Sequence, residues 1–554
     1  MYNSAMKYRY FALVLPLLAS CSFSFPNSKN SDTSASLDNQ SSSEKETLSE
    51  DTGASKDSDK ENDSSFPNDS NELGEEKTLD VYAINDLHGQ IKEEGSYPGI
   101  ENVATYLKKR GENENTLLIS SGDMFQGTLE SNYNSGNLLA DIMNDCKFDA
   151  LSLGNHDFDW GLEALKANKD RVSSDGYQTP YLCANLYNYE NGKDGDEQLS
   201  QYGTEYTISE QENGLRVGII GAIGEDQYTS ITSTYVENVC FKDPSPIVKE
   251  LSDELRTEKD CDVVILSFHA SQSAMLGKGV TDVSPISGKR YVDLVLCAHT
   301  HMFESTTENG VIFTQNDDKG EDASHVTLTV SPEGEVTGEL ETISGNTMKK
   351  EAKSEGYDET ISNLVSTYGE ISEAVGNETL GSVSGYFTKK ESLPILVAEA
   401  ILEEATETFD DVDLAMVNSG RENLSSGSLT YSKLFSALPF DNEVYLIETS
   451  GTALFNEARY NCIARAQEEA FSTSKTYHIA VIDYLAVHQN TYHVYDYFPG
   501  AKILGKLTTS TGAKRGYRDI TADYIKSKGV ISSSNYSSSL DRYNTDKLAS
   551  SISL

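Results

Sequence analysis

The sequence has few basic residues for its length and a large excess of acidic ones. It contains 44 Lys and Arg residues against 88 Asp and Glu residues, which gives a net charge of −44 over 554 residues. A surface of this sign repels the phosphate backbone of nucleic acids, so we expect no polymeric DNA or RNA partner. A small anionic substrate can still bind next to local cations, because salt screens charges beyond about 8–10 Å.

Cysteine is also scarce, with seven residues and no C-x-x-C spacing. This pattern argues against zinc sites built from thiolates. Six of the seven follow residue 140, namely Cys146, Cys183, Cys240, Cys261, Cys297 and Cys462. Disulfides and buried free thiols both stay open for them, because cysteine pairing cannot be deduced from sequence.

Long apolar runs are missing after the N-terminus, where no stretch reaches the roughly 18 residues that a transmembrane helix needs. Residues 1–21 combine the basic Lys7 and Arg9, a short apolar run at 11–18, and Leu-Ala-Ser-Cys at 18–21, which resembles a bacterial lipobox. We therefore predict cleavage before Cys21, lipidation of its thiol, and an exported protein anchored to the membrane at the cell surface or in the periplasm. An ordinary cleaved signal peptide is the alternative. Residues 22–76, which are rich in Ser, Asp, Asn, Glu and Lys, are predicted to form a disordered tether.

From residue 78 the composition changes, and five apolar runs each lead into Asp, Asn or His. The runs and the polar residues that follow them are 79–84 before Asn85, Asp86 and His88; 116–119 before Asp123; 148–153 before Asn155, His156, Asp157 and Asp159; 263–268 before His269; and 292–297 before His299 and His301. Helix-like stretches at 100–110 and 138–146 lie between them. Alternating strands and helices favour an α/β architecture whose ligands gather beyond the carboxyl ends of the strands.

Histidine is concentrated at these strand ends, which carry five of the nine histidines of the chain. Imidazole, amide and carboxylate groups suit divalent cations and proton transfer. The remaining histidines, which are His325, His478, His488 and His493, are predicted to be structural or exposed.

The motifs DLHG at 86–89, SGDMFQG at 121–127, GNHDFDWG at 154–161, the strand-end His269 and AHTH at 298–301 resemble the calcineurin-like metallophosphatases. Within that superfamily the chain is similar to the bacterial 5′-nucleotidase and UDP-sugar hydrolase branch. The resemblance implies a four-layer αββα domain over 77–345 and two divalent metal ions, Zn, Mn, Co or Mg. It implies that Asp86, His88, Asp123 and His301 bind one metal, and that Asp123, Asn155, His269 and His299 bind the other. A water shared by the two metals would attack phosphorus, with His156 stabilising the phosphoryl charge or assisting the leaving group and Asp159 orienting its ring.

The second half resembles the 5′-nucleotidase C-terminal domain, on Asn418-Ser-Gly420-Arg421, Gly427-Ser-Leu-Thr430 and Leu438-Pro-Phe440. The resemblance implies that Asn418, Gly420 and Arg421 contact the substrate, with the arginine on phosphate, and that Phe440 and Tyr484 stack on the nucleobase. Asn490 stands where relatives use an Asp on the ribose, and the glycines usual around it are replaced in 487–492. Lys389 and Lys390 are further candidates for phosphate contact.

The resulting organisation is a signal peptide (1–21), a tether (22–76), a metallophosphatase domain (77–345), a connecting helix and hinge (346–380), a substrate-binding domain (381–530) and a poorly ordered Ser-rich tail (531–554). The predicted function is hydrolysis of nucleoside 5′-monophosphates. A UDP-sugar hydrolase, a cyclic-nucleotide phosphodiesterase or another phosphoesterase with the same metals is one alternative. A surface nucleotide-binding or adhesion protein is an alternative of another class.

Overall fold

Residues 75–190, 193–458, 460–465, 472–486, 496–510, 512 and 514–536 are described by a computed structural model. The predicted signal peptide with Cys21, most of the predicted tether, and Asn490 lie outside these residues. The described residues all belong to one compact unit, Glu72–Leu554. Within them, no helix has both the length and the apolar character needed to cross a bilayer.

The first half of the described chain alternates strands with helices, as predicted. The strands are β1 (Lys77–Ile84), β2 (Thr116–Ser120), β3 (Ala150–Ser152), β4 (Tyr181–Leu182), β5 (Leu186–Glu190), β6 (Lys193–Gln198), β7 (Tyr206–Glu210), β8 (Arg216–Ile223), β9 (Val239–Phe241), β10 (Val263–His269), β11 (Leu294–Leu296), β12 (Glu304–Glu308), β13 (Val311–Gln315), β14 (Asp322–Val330) and β15 (Val336–Ser344). The helices are α1 (Ile100–Gly111), α2 (Leu129–Asn132), α3 (Asn137–Asp145), α4 (Leu162–Lys169), α5 (Pro244–Thr257), α6 (Gly345–Glu355) and α7 (Glu359–Gly376).

Two six-stranded sheets form the frame of this half, in the orders β15-β14-β1-β2-β3-β4 and β12-β13-β11-β10-β8-β7. Strands β1 to β4 are parallel in the first sheet, and β8, β10, β11 and β13 are parallel in the second. The carboxyl ends of the parallel strands in each sheet therefore lie along one edge. Strands β5, β6 and β9 form a separate small sheet.

Alternation along the strands explains how the layers pack. On β1, Leu79 and Val81 belong to the core between the two sheets, whereas Tyr82 and Ile84 face the helices that cover the first sheet. On β10, Val263 points into the inter-sheet core and Val264 packs outward beside α5. Both faces of each sheet are covered, which confirms the predicted four-layer αββα arrangement. Each fully buried aliphatic side chain in these layers contributes about 1.5–3 kcal/mol.

The second half adds two further sheets. Its strands are β16 (Thr379–Ser384), β17 (Leu414–Val417), β18 (Gly427–Thr430), β19 (Val444–Ser450), β20 (Cys462–Arg465), β21 (Thr476–Ile482), β22 (Lys502–Lys506) and β23 (Val530–Ser532), and its helices are α8 (Ser392–Thr408), α9 (Tyr431–Ala437), α10 (Gly451–Glu457), α11 (Asp483–Ala486) and α12 (Tyr517–Lys528). The sheet orders are β18-β16-β23 and β20-β17-β21-β19-β22. Helix α8 contributes most of its first three turns to the core of this half.

The connection between the halves differs from the single helix predicted at 346–380. It consists of α6 and α7, separated by a break at which the Asp358 carboxylate caps α7 by accepting from the amides of Thr360 and Ile361. Helix α7 is held against the first half, because the Ser362 hydroxyl donates to Glu101 at 2.6 Å and the Tyr368 hydroxyl donates to Asp141 at 3.0 Å. The hinge stays a prediction.

The start of the predicted tail is also ordered, contrary to the expectation from its serine content. Residues 530–532 form β23, which pairs in parallel with β16. Ile531 and Tyr536 are buried in the core of the second half. Residues 537–554 lie outside the described chain. The six cysteines after residue 140 are free, buried thiols.

Candidate active site

Six of the predicted metal ligands form two clusters at the strand ends. Within each cluster the donor atoms all lie within 4.8 Å of one another; the members are Asp86, His88 and His301 in the first, and Asp123, His269 and His299 in the second. The first sheet supplies its members after β1 and β2, and the second sheet supplies its members at the ends of β10 and β11. Asn155 joins the second cluster, because its Oδ1 lies 3.1 Å from Nε2 of His269. The parallel strand order is thus what brings residues more than 200 positions apart to one place.

Asp123 stands between the clusters. Its Oδ2 lies 3.3 Å from Nε2 of His269 and 3.8 Å from Nε2 of His88. This Oδ2 and the Oδ1 of Asp86 are fully buried, yet neither has a hydrogen-bond partner among the described residues. A buried carboxylate oxygen without a partner is costly, so a positive charge is needed beside each. The residues therefore fit divalent cations.

The histidine tautomers support the same conclusion. Nδ1 of His88 lies 3.1 Å from the carbonyl of Gln126, and Nδ1 of His269 lies 2.8 Å from the carbonyl of Ser121. Because a carbonyl can only accept, both Nδ1 atoms carry a hydrogen, and Nε2 is the ring atom of each histidine that faces the site. Such a backbone contact on the far nitrogen is the usual support of a metal-binding histidine. Burial opposes protonation of His269, but the Asp123 carboxylate outweighs it and raises the pKa to about 9, so the site favours positive charge.

The backbone around the clusters is unusual as well. Asp86, His88, Asp123, His299 and His301 all have positive φ, between 48° and 81°. Non-glycine residues in this region cost of the order of 1–3 kcal/mol each and concentrate at functional sites. Asp and His are among the types that adopt it most readily. These loops therefore keep a strained backbone at residues whose side chains form the two clusters.

Asp157 has a structural role that no sequence motif indicates. Its side chain is 2% exposed and accepts hydrogen bonds from three backbone amides, those of Gly154 (2.8 Å), Asp123 (3.1 Å) and Met124 (3.2 Å). Burial and then the Asp123 charge raise its pKa to about 7. The carboxylate ties the loop after β2 to the loop after β3, and so fixes Asp123 relative to Asn155.

His156 and Asp159 form the predicted pair beside the clusters. Nδ1 of His156 lies 2.8 Å from Oδ2 of Asp159, and the His156 amide donates to Oδ1 of Asp123 at 2.7 Å. Burial disfavours the charged imidazole, but Asp159 and Asp123 outweigh it and raise the pKa of His156. The Asp159 contact occupies Nδ1, which leaves Nε2 to serve a substrate.

A cleft of about 260 Å³ opens over these groups, and both halves of the chain line it. The lining residues are Asp123, Asn155, His156, Asp159, Ser230, Thr232, His299, His301, Asn418, Arg421, Phe440, Asn442 and Tyr484. The Tyr484 hydroxyl donates to the Thr229 carbonyl at 3.0 Å, which joins the two halves at the rim. The Phe440 ring stacks on His156 at 5.6 Å between centroids, and the Arg421 guanidinium lies 4.8 Å from the Phe440 centroid.

The substrate residues predicted from sequence are placed unevenly. Asn418, Arg421, Phe440 and Tyr484 line the cleft, whereas Gly420 lies behind it. The Gly420 amide donates to the Lys389 carbonyl at 2.8 Å, and a Cβ at this position would approach Leu393 Cδ2 to 2.9 Å, so its role is to allow close packing of the turn.

Three further lining residues, Ser230, Thr232 and Asn442, were not predicted as site residues. Asn442 lies two residues after Phe440, so its closeness to that motif was a signal that could have identified it as a site residue. Ser230 and Thr232 follow β8 in a stretch without any recognisable pattern. Among the described residues, the lining includes neither Lys389 nor Lys390.

The chain is similar to known proteins in sequence and in fold. Residues 79–303 match the family model of the calcineurin-like phosphoesterases, and residues 373–456 match that of the 5′-nucleotidase C-terminal domain. The chain is 24% identical over 419 residues to the endonuclease YhcR of Bacillus subtilis, a match that covers 69% of this chain and 32% of that protein. It is 24% identical over 425 residues to a 5′-nucleotidase of Vibrio parahaemolyticus, covering 67% and 72%. The crystal structure of a 5′-nucleotidase precursor from Thermus thermophilus superposes with a TM-score of 0.62 at 18% identity, over 82% of this chain and 97% of that one, which shows a shared fold.

Proposed function

Because the chain belongs to the calcineurin-like phosphoesterases that carry a 5′-nucleotidase C-terminal domain, we propose that it is a metal-dependent 5′-nucleotidase. It would cleave nucleoside 5′-monophosphates to nucleoside and phosphate. The observation that carries the proposal is the pair of buried, unpartnered oxygens on Asp86 and Asp123, set among imidazoles at the floor of a cleft that also holds aromatic and guanidinium groups.

Two divalent cations are part of the proposal. Asp86, His88, Asp123 and His301 would hold one, and Asp123, Asn155, His269 and His299 would hold the other. When bound, such cations neutralise phosphate oxygens and make water nucleophilic near neutral pH. The mixture of two carboxylates with neutral imidazoles and one amide limits the negative charge of the site, which favours an anionic substrate.

The remaining residues would orient the substrate and handle the proton. Asp159 holds His156 through Nδ1 and stabilises the imidazolium, so that Nε2 can hydrogen-bond to the phosphoryl group or protonate the leaving oxygen. Arg421 is a planar donor suited to phosphate oxygens. Phe440 and Tyr484, which both line the cleft, would offer ring faces to a nucleobase at roughly 1–3 kcal/mol per contact.

The test uses the purified full-length protein loaded with Mn²⁺, Zn²⁺ or Co²⁺ and measures phosphate release from AMP. Asp123→Ala and His156→Ala should each abolish turnover, whereas the control His478→Gln, at the start of β21 and not among the residues that line the cleft, should not. Unchanged turnover in both site variants would refute the proposal.

The other substrates predicted from sequence share this metal chemistry. UDP-sugars, cyclic nucleotides and other phosphate esters remain alternatives, because 487–492 departs from the pattern of relatives and Asn490 lies outside the described residues. A panel of these compounds alongside AMP separates them. A nucleotide-binding or adhesion protein would instead keep its binding after metal removal and show no turnover with any of them.

We also propose export and membrane anchoring through Cys21. Labelled palmitate should be incorporated into the full-length protein expressed in a bacterium, and Cys21→Ser should abolish the label. Label retained by the variant would exclude the anchor.

A further inference from the structure

This inference rests on the proposed function and concerns how the cleft recognises the base. We propose that Arg518 is a positioning residue that fixes the Phe440 ring for stacking on the nucleobase. Arg518 does not line the cleft itself; it acts through the segment 438–441, which carries Phe440 and is part of the connection from α9 to β19 (residues 438–443).

The contacts of Arg518 concentrate on this segment. Its side chain on α12 is largely buried, and Nη1 donates to the carbonyls of Leu438 and Phe440, each at 3.1 Å. Nη2 donates to the Asp441 carboxylate. One guanidinium therefore binds three of the four residues of this segment, and its planar fork supplies these donors in fixed directions.

Two aromatic residues of α9, Tyr431 and Phe435, also contact the Arg518 guanidinium. Nε of Arg518 donates to the Tyr431 hydroxyl at 3.2 Å, and the guanidinium carbon lies 4.0 Å from the Phe435 ring centroid. Arg518 is thus itself held in place, which lets it transmit that position to the loop.

Replacing Arg518 removes the hydrogen bond to the Phe440 carbonyl together with those to Leu438 and Asp441. The carbonyl before it, that of Pro439, accepts from Nδ2 of Asn132 at 3.1 Å across the two halves. The Phe440 ring packs at the edge of the core of the second half and also contacts His156 and Arg421. A displaced Phe440 would leave the metal clusters intact, and His156 would keep its contact with Asp159, so the main change would be in the surface offered to the base.

Arg515 provides a matched control. It lies three residues earlier, is partly buried, and forms ion pairs with Glu404 at 3.2 Å and Asp523 at 2.9 Å. Neither partner lines the cleft. Replacing it removes a comparable arginine from the same end of α12 without touching the Phe440 loop.

The experiment compares AMP with ribose 5-phosphate, which has the same sugar and phosphate but no base. With the metal-loaded full-length protein, Arg518→Met should raise KM for AMP about five-fold to a hundred-fold, the range of one base–aromatic contact. Its kcat for AMP and its kcat/KM for ribose 5-phosphate should stay within about threefold. Arg515→Met should leave both substrates unchanged.

Two further variants separate positioning from loss of folding. Arg518→Lys keeps the charge but not the fork, so it should show the same selective loss with a smaller effect on stability. In a Phe440→Ala background, Arg518→Met should add no further loss for AMP. Equal losses for both substrates, or a full additional loss in the Phe440→Ala background, would overturn the proposal.

If the wild-type protein hydrolyses neither compound, the proposed function fails, and adenosine binding measured by calorimetry decides about Arg518. Weaker adenosine binding by Arg518→Met than by Arg515→Met supports the positioning role. Equal binding overturns it.

Discussion

Removal of the Asp157 carboxylate should loosen the metal site without removing any ligand. Asp157→Ala leaves the buried amides of Gly154, Asp123 and Met124 without their acceptor. Hydrogen bonds to a charged group contribute about 1.5–3 kcal/mol each. The burial that raises the Asp157 pKa to about 7 offsets part of this at neutral pH.

A net loss of about 2–4 kcal/mol should remain. For a domain of the size of residues 77–345 that corresponds to a fall in Tm of about 4–8 °C. Because the amides of Asp123 and Gly154 set the positions of two predicted ligands, metal affinity should also fall about 10- to 100-fold. Asp157→Asn keeps the oxygen that accepts from Gly154 and Asp123 but places an NH₂ against the Met124 amide, so its losses should be smaller.

The assay is calorimetric unfolding together with metal titration of the chelator-treated protein. Asp149→Ala is the control, because Asp149 also accepts from a backbone amide, that of Leu118 at 2.9 Å, but lies away from the clusters. It should lower Tm and leave metal affinity unchanged. Wild-type metal affinity in Asp157→Ala, or an equal loss in Asp149→Ala, would refute the reasoning.

Three further outcomes follow from the site. Asp159→Asn removes a carboxylate that raises the His156 pKa, so His156 should lose its proton at lower pH and the alkaline limb of the kcat profile should move to lower pH; an unmoved limb contradicts this. Metal removal by a chelator should abolish turnover and lower Tm, because it leaves the buried oxygens of Asp86 and Asp123 without partners. Added Mn²⁺ should restore turnover and Tm. An unchanged Tm would count against a bound cation. Tyr484→Phe loses the bond to the Thr229 carbonyl but keeps the ring, so KM for AMP should change less than threefold, whereas Tyr484→Leu should raise it several-fold; equal effects would show that the ring is not used.

The metal clusters were predictable because their signal is local. Each apolar run is followed by its predicted metal ligands within four positions, and parallel strands bring such ends together whatever lies between them. Asp157 could not be interpreted in this way, since its function is to accept from three backbone amides, and amides leave no trace in a sequence. Ser230 and Thr232 were missed for a related reason, because only the closeness of the two halves makes them part of the cleft.

The prediction of a disordered tail was wrong for its first residues, 531–536. Its serine content predicts disorder, but a strand needs few apolar residues when a partner edge is already present. Strand β16, about 150 residues earlier, supplies that edge, and Ile531 and Tyr536 fill the adjacent core. The linker was misjudged because Gly356 and the Asp358 cap split one helical pattern into two helices.

The left-handed backbone at Asp86, His88, Asp123, His299 and His301 constrains any attempt to redesign the metal centre. At these positions a replacement must offer a suitable donor atom and also tolerate positive φ. Asp and His meet both requirements, whereas Glu and Cys adopt positive φ less readily. Exchanging ligands there to select another metal should therefore disturb the loops before it changes the coordination. Asn155 and His269 are not among the left-handed residues, so they are the positions at which the preference for a cation can be altered with the fold intact.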